Sequence, residues 1–112
     1  MKKIEAIIRP AKVGDVCGAL NKLGHPGIMI TEIEGHGKQH GIEQEFRGKT
    51  YTTELLTKAK LEVVVKDEDS DKTVKAIREA AFTGEIGDGK IFISAIEDVV
   101  RIRTGERGNI AV

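Results

Sequence analysis

Residues 83–93 read TGEIGDGKIFI, and this stretch decides how the chain is organised. Its three glycines exclude a helix, because glycine loses more backbone entropy there than any other residue. The apolar run that follows them predicts a strand, and the pattern before them, which ends at Phe82, predicts a helix. The stretch is therefore a loop that leads from a helix into a strand. Its backbone N–H groups can converge on an anion, and Lys90 adds a positive charge.

Gly84 to Lys90 also fits the G-x-x-x-x-G-K pattern of nucleotide-binding P-loops. However, Ile91 follows the lysine, so the hydroxyl that holds Mg²⁺ in a P-loop is missing. The order helix–loop–strand also reverses that of a P-loop, in which a helix N-terminus faces the phosphates. Two interpretations remain at this point: a phosphate-binding loop of another kind, or a glycine helix stop followed by a turn.

The composition limits the class of protein. The 112 residues suit one domain, residues 1–112, and the 4% of aromatic residues without tryptophan predict an aliphatic core. Eighteen basic and eighteen acidic side chains cancel, which leaves no electrostatic case for nucleic acid or an anionic membrane. Cys17 is the only cysteine, so no disulfide framework exists. No signal or membrane-spanning segment is evident, and we expect a cytoplasmic protein.

Hydrophobic periodicity extends the interpretation in both directions from the loop. Period-two alternation and β-branched runs predict four strands, and apolar stripes at helical spacing predict two helices. The first helix is expected to enter at Pro10 and end at Gly24, and the second to take an N-cap from Asp69 or Ser70. The expected strands are residues 3–9, 28–34, 58–65 and 91–96, the second helical stripe ends at 81, and an extended tail follows through residues 99–103.

Two β-α-β halves of similar length predict a ferredoxin-like α+β fold, βαββαβ, with both helices on one face of an antiparallel sheet. The other face is expected to be mixed, with Ile7 and Val64 beside Lys60 and Glu62. Self-association could cover that face, although the number of subunits does not follow from the pattern.

Residues 35–57 form a long loop without usable periodicity, which is typical of functional or disordered segments. The loop contains Tyr51, the only tyrosine, and is interpreted as a partner-binding arm with a modifiable hydroxyl or as a mobile connection. His36 and His40 lie four residues apart in it. They are interpreted as surface residues, because zinc sites usually need three or four ligands.

Arg101 and Arg103 fall on the same side of the expected extended tail. Two neighbouring guanidinium groups suit a polyphosphate, while the alternative is a solvated strand end. Together with the glycine loop and Lys90, the pair favours an anionic ligand.

Over essentially its whole length the sequence resembles the PII nitrogen-regulatory signal-transduction proteins. The resemblance is carried by residues 1–10 (MKKIEAIIRP), 35–41 (GHGKQHG), 83–93 and 101–106 (RIRTGE). It implies a homotrimer that binds ATP or ADP in three clefts between subunits. It implies phosphate contacts from the loop 83–90 of one subunit and from the loop 101–106 of the next. The implied nucleotide-site residues are Gly37, Lys38, Glu62, Val64, Ile86, Gly87, Asp88, Gly89, Lys90, Arg101 and Arg103.

The same resemblance implies that 2-oxoglutarate binds beside MgATP, with Gln39 as a ligand of the Mg²⁺ and Lys58 paired with a carboxylate. The backbone around Gly41 and Gly87 would complete that pocket. Residues 35–57 would be the T-loop, which docks on ammonium channels, on enzymes that modify glutamine synthetase or on other proteins of nitrogen metabolism. Tyr51 becomes a candidate for uridylylation, although its neighbours differ from the family's usual residues.

The function implied is therefore non-catalytic control of nitrogen metabolism, with slow ATP hydrolysis at most. Two alternatives stay open. A small ATP-binding transferase would use the same glycine loop, but no candidate base lies beside a nucleophile. A ferredoxin-like trimer that senses metals or amino acids would leave Lys90 and the arginine pair without a role.

Overall fold

A computed structural model describes residues 1–25, 27–36, 42–46, 49–53 and 55–112, and between residues 35 and 56 only the backbone is described. The described residues form six strands and two α-helices, joined in part by short 3₁₀ turns. The strands are β1 (Lys2–Ile8), β2 (Met29–His36), β3 (Ile42–Phe46), β4 (Lys49–Thr53), β5 (Leu55–Val65) and β6 (Lys90–Ala95), and the helices are α1 (Val13–Lys22) and α2 (Ser70–Ala81).

Four strands form one antiparallel sheet in the order β2-β5-β1-β6. The two central strands, β1 and β5, are the first and third strands of the predicted βαββαβ pattern, so the ferredoxin-like α+β fold is confirmed. The β1–β5 register places Glu5 opposite Glu62 and Ile7 opposite Lys60. Through the pleat, these residues share the face of the sheet that the helices leave open.

The core confirms the predicted alternation. Every second residue from Ile4 to Ile8 and from Ala59 to Val65 is buried against two residues from each helix, and period two gives each strand one buried face. The buried apolar residues are Ile4, Ala6, Ile8, Val16, Leu20, Ala59, Leu61, Val63, Val65, Ile77 and Ala81. The partly buried Cys17 packs against this cluster, in agreement with its place on the helical stripe.

The first helix begins and ends as its sequence predicts. Pro10 opens a 3₁₀ turn, Pro10–Lys12, which leads directly into α1. At the other end Gly24 has φ +83°, and the N–H groups of Gly24 and His25 donate to the carbonyls of Asn21 and Leu20. These two bonds form a Schellman motif, which satisfies carbonyls that the helix end would otherwise leave free.

The start of α2 agrees with the expectation in position but not in bonding. Asp69 occupies the N-cap position, but its side chain makes no capping bond and instead pairs with Lys72 at 2.9 Å, while Ser70 is the buried first residue of the helix. The Thr73 hydroxyl donates to the Asp69 carbonyl at 2.7 Å. Because that uses its only proton, the His25 Nε2 atom, 3.0 Å away, donates to the Thr73 oxygen and ties α1 to α2.

The expectation that residues 35–57 lack regular structure is wrong for the part that is described. β2 and β5 pair as far as His36 and Leu55, and β3 pairs with β4 in a separate two-stranded antiparallel sheet. Tyr51 lies in β4 with Gln44 as its cross-strand partner. The segment has no clear apolar alternation to reveal these strands, because charged and polar residues dominate both of them.

The edge strand β6 leaves large apolar side chains uncovered. Ile93 pairs with the fully buried Ile4, yet it is 53% exposed, as is its neighbour Phe92. An edge strand with exposed apolar residues is typical of a surface that another chain covers.

Among the helices of the described residues, none has both the length and the apolar character that crossing a membrane requires.

Candidate functional site

The glycine loop connects Ala81 at the end of α2 to Lys90 at the start of β6, as predicted. Gly84, Gly87 and Gly89 all have positive φ, between +87° and +105°. This conformation strains L-residues and explains the glycines. At Gly89 there is a second reason, because an added Cβ atom would lie 1.6 Å from the Ile7 carbonyl oxygen.

Asp88 organises the loop from within. Its carboxylate accepts hydrogen bonds from the Thr83 hydroxyl, from the Thr83 N–H at 2.9 Å and from the Gly84 N–H at 2.9 Å. These donors, with the Thr83 hydroxyl as the largest contribution, hold the pKa of the Asp88 carboxyl well below its ordinary value. The side chain therefore stays ionised and closes the first half of the loop on itself.

Two cations hold the second half of the loop against the sheet. Arg9 Nη2 donates to the Ile86 carbonyl at 2.9 Å, and Arg9 Nε lies 3.3 Å from an Asp88 carboxylate oxygen. Lys58 Nζ donates to the Gly87 carbonyl at 2.5 Å. Partial burial, followed by the nearby charge of Arg9, lowers the pKa of Lys58. The predicted residues Lys58, Gly87 and Asp88 thus form one cluster.

Arg9 belongs to this cluster although the sequence pattern did not indicate it. The residue lies directly after β1, and continuing the antiparallel β1–β5 register by one pair places it opposite Lys58. A signal existed, because alternation puts Arg9 on the same face as Ile7 and therefore on the side of Lys60 and Lys58. The register that makes these residues neighbours is set by tertiary pairing, which the periodicity of one strand does not reveal.

The loop also leaves donors free. The backbone N–H groups of Ile86 and Gly87 donate to no acceptor in the part of the chain that the structure describes. Lys90, three residues after Gly87, is exposed, and a cavity of about 370 Å³ lies behind the loop, between α2 and the strands β1 and β6. Free N–H groups and an ammonium group are the donors that an anion requires.

Glu62 and Val64 lie on the open face of the sheet, four and six residues along β5 from Lys58. Glu62 pairs with Lys3 at 3.0 Å and with Lys60 at 3.3 Å, and both contacts lower its pKa. The two lysines offset the repulsion between Glu62 and its cross-strand neighbour Glu5.

The carboxyl-terminal segment, residues 98–112, differs from the extended tail that was expected. Residues 102–104 form a turn, which closes where Gly105 adopts φ +74° and its N–H donates to the Arg101 carbonyl. Arg101 is engaged inside the segment, with Nη1 2.7 Å from Glu106 and Nη2 donating to the Ile110 carbonyl. Arg103 is exposed. Within the described residues, no hydrogen bond or ion pair joins either arginine to the glycine loop of the same chain.

Four predicted site residues, Gly37, Lys38, Gln39 and Gly41, lie outside the described residues, as does His40. His36 is the last residue of β2. Among the described residues, no three His, Cys, Asp or Glu side chains are grouped so that they could hold a metal ion.

Comparison with known proteins settles the family. The family model described as Nitrogen regulatory protein P-II matches residues 1–106. The chain belongs to the nitrogen regulatory protein P-II family. It is 54% identical over its whole length to Nitrogen regulatory protein P-II 2 of Methanothermobacter thermautotrophicus, 97% of which is covered. It is 52% identical to Nitrogen regulatory protein P-II of Rhizobium meliloti, with both chains fully covered.

A solved structure of the P-II family also matches. The crystal structure of Arabidopsis thaliana PII bound to citrate superposes with a TM-score of 0.81 and 40% sequence identity, over 99% of this chain and 91% of that one. The resemblance inferred from the sequence is thus confirmed, and with it a role as a signal-transduction regulator of nitrogen metabolism. The relatives are named as regulatory proteins rather than enzymes, and the comparisons favour neither the transferase nor the other sensor.

Proposed function

We propose that this P-II protein is a homotrimer that binds ATP or ADP in its intersubunit clefts and reports the 2-oxoglutarate level to target proteins through residues 35–57. The observation that carries the proposal is the glycine loop, in which the free N–H groups of Ile86 and Gly87 accompany the exposed Lys90. Such a loop binds phosphate oxygens through its backbone, and the ammonium group adds charge. Gly37, Lys38, Glu62 and Val64 complete the proposed nucleotide site, with Asp88 and Gly89 shaping its loop.

Assembly follows from the uncovered apolar surface. Phe92 and Ile93 on the edge strand are half-exposed, and Ile102 in the carboxyl-terminal segment is fully exposed. Burial against a second copy would remove this surface from water. In a ring of three, Arg101 and Arg103 of one subunit face the glycine loop of the next, which accounts for the absence of described contacts between them within one chain.

The effector site lies at the base of the loop. Lys58 already holds the Gly87 carbonyl, and its partly buried ammonium group suits a carboxylate of 2-oxoglutarate. The Arabidopsis relative is bound to citrate, which is also a polycarboxylate. Gln39 would ligate Mg²⁺ between the nucleotide and the effector, and the backbone at Gly41 would complete the pocket.

The arm, residues 35–57, would be the output. MgATP with 2-oxoglutarate orders its base and withdraws it from some targets, whereas ADP permits docking, which is a coupling between two sites. The targets fitting this role are an ammonium channel, an enzyme that modifies glutamine synthetase or another protein of nitrogen metabolism. Tyr51 is the proposed site of uridylylation, the protein works in the cytoplasm, and any ATP hydrolysis is slow.

Isothermal titration tests the coupling. We expect 2-oxoglutarate to bind with MgATP present and to show no binding without nucleotide. Lys90→Ala and Arg103→Ala are each expected to weaken ATP binding about tenfold, since each removes a charged hydrogen bond. Lys75→Ala, an exposed lysine paired with Glu79 on α2, serves as the control. Equal 2-oxoglutarate binding in the absence of nucleotide contradicts the proposal, and so does unchanged ATP binding in both test variants.

A further inference from the structure

Arg9 makes contacts that its position at the end of a strand does not require. Its guanidinium group bridges the sheet to residues 77 and 79 positions later in the chain, Ile86 and Asp88. It is mostly covered, with about a quarter of the side chain exposed. An arginine with no structural role at a strand end would leave its guanidinium group in water. These contacts therefore indicate that Arg9 has a role in holding the loop.

The geometry of the peptide unit shows what that role is. In a planar trans peptide the C=O and N–H groups point in opposite directions. The Ile86 carbonyl and the Gly87 N–H belong to the same peptide unit, and Arg9 Nη2 holds that carbonyl at 2.9 Å. The Gly87 N–H is therefore turned away from Arg9, and it donates to no acceptor in the described residues.

Arg9 also offsets the charge of Asp88, one of the two carboxylates in the loop. Asp88 is ionised, and an unpaired negative charge would repel a polyphosphate bound nearby. The Arg9 Nε contact at 3.3 Å offsets that charge, while the Thr83 and Gly84 donors fix the carboxylate in place. The Arg9 side chain thus orients the Gly87 N–H group and offsets the Asp88 charge that would repel a phosphate.

We infer that Arg9 is a positioning residue of the nucleotide site: paired with Asp88 and the Ile86 carbonyl, it holds the glycine loop in the shape that presents the Gly87 N–H to a phosphate. The inference rests on the proposed function and assigns Arg9 no contact with the nucleotide. Thr83 acts through the same carboxylate and is its partner in this arrangement.

The test measures the dissociation constant of MgATP by titration calorimetry on the full-length protein. Arg9→Met removes the guanidinium group but keeps a side chain of similar bulk. It is expected to weaken binding about tenfold, the size of a lost charged hydrogen bond. Arg9→Lys keeps the charge but not the guanidinium group, so it is expected to recover part of the loss. The control is Lys12→Met, a cation three residues away that pairs with Asp15 at 3.7 Å and is expected to bind as wild type does.

A double-mutant cycle separates this role from a general structural one. Thr83→Val removes the hydroxyl donor to Asp88 and is expected to weaken binding about threefold. Because both residues act through Asp88, the double variant is expected to lose less than the product of the single losses. Arg9→Met binding within twofold of the control overturns the inference, as do losses that simply multiply.

Two further outcomes are distinguishable. If Arg9→Met does not fold, Thr83→Val decides alone, since Thr83 is exposed, and unchanged binding there overturns the inference. If the wild-type protein itself does not bind MgATP, the proposed function fails first. Wild-type binding with unaffected variants rejects only the role of Arg9.

Discussion

The glycine loop and the carboxyl-terminal segment contribute the two cationic sides of the proposed site, and charges act differently in each. At the loop, Arg9 from the end of β1 and Lys58 from β5 bind its backbone carbonyls, so these cations fix the path of the chain. In the segment, Arg101 pairs with the carboxylate of Glu106 and with the Ile110 carbonyl, so much of its bonding capacity is used internally. The conformation of the loop is therefore fixed without a ligand, whereas in the segment the Glu106 carboxylate already occupies Arg101.

The difference follows from what lies behind each element. The loop is attached to the two central elements of the fold, with Gly89 directly against the β1 backbone and Lys58 on β5. The segment is held mainly by contacts among its own residues, such as the bridge between Val100 and Arg107 and the Asp98–Arg107 pair at 3.1 Å. Changes in the loop are therefore expected to affect the fold more than equivalent changes in the segment.

The largest effect is expected for Gly89→Ala. The new methyl group would meet the Ile7 carbonyl oxygen at 1.6 Å in a backbone with φ +99°. Relief requires a shift of β1 or of the loop, and we expect a loss of about 4 kcal/mol in the free energy of unfolding. Gly24→Ala is the matched control, because Gly24 has φ +83° with nothing within 4 Å, so only backbone strain of about 1–2 kcal/mol is expected.

Urea unfolding at one fixed protein concentration measures both variants, since assembly links stability to concentration. Equal losses in the two variants would show that the close contact between loop and strand contributes nothing, and that the loop is no better anchored than a helix end.

A smaller effect, dependent on pH, is expected for Asp88→Asn. The folded protein holds the Asp88 pKa below its unfolded value of about 4, so the carboxylate stabilises the fold above that pH. This stabilisation is lost as the pH falls through the folded pKa. The variant is therefore expected to unfold at lower urea than wild type at pH 7, and the two midpoints are expected to converge as the pH falls below 4.

The control for Asp88→Asn is Glu97→Gln, which removes an exposed carboxylate that makes no ion pair within the described residues. Its midpoint is expected to follow that of wild type at neutral pH. A difference between Asp88→Asn and wild type that is constant down to acidic pH would contradict the role of the charge in holding the loop.

Much of the fold was predictable from local pattern. The alternation from Ile4 to Ile8 and from Ala59 to Val65 identifies the central strands because each has one buried face. Gly24 and the loop glycines mark chain reversals because only glycine adopts their backbone angles without strain. The strands β3 and β4 were not predicted, because their stability depends on pairing with each other. A largely polar sequence has no pattern that indicates such pairing.

The site was predictable only in part, because contacts between residues far apart in the chain do not show in local sequence pattern. Lys58, Gly87 and Asp88 were identified through the resemblance to the family, and the structure brings them together. Arg9 was missed because its partners are 77 and 79 residues away, and long-range neighbours follow only from register. The turn at residues 102–104 was missed because the alternating charges of Arg101 and Arg103 imitate a strand, whereas Gly105 and the Arg101–Glu106 pair close the chain instead.

The smallest effect on stability is expected for Glu106→Gln, which removes the internal anion of the carboxyl-terminal segment. The pair is partly exposed, with 36% of the Glu106 side chain in solvent, so its loss is expected to cost less than about 1 kcal/mol. Thermal unfolding compared with Asp71→Asn, an exposed carboxylate on α2, provides the measurement and its reference. A loss as large as that of Gly89→Ala would show that this segment is anchored as firmly as the loop, and the contrast between the two regions would be wrong.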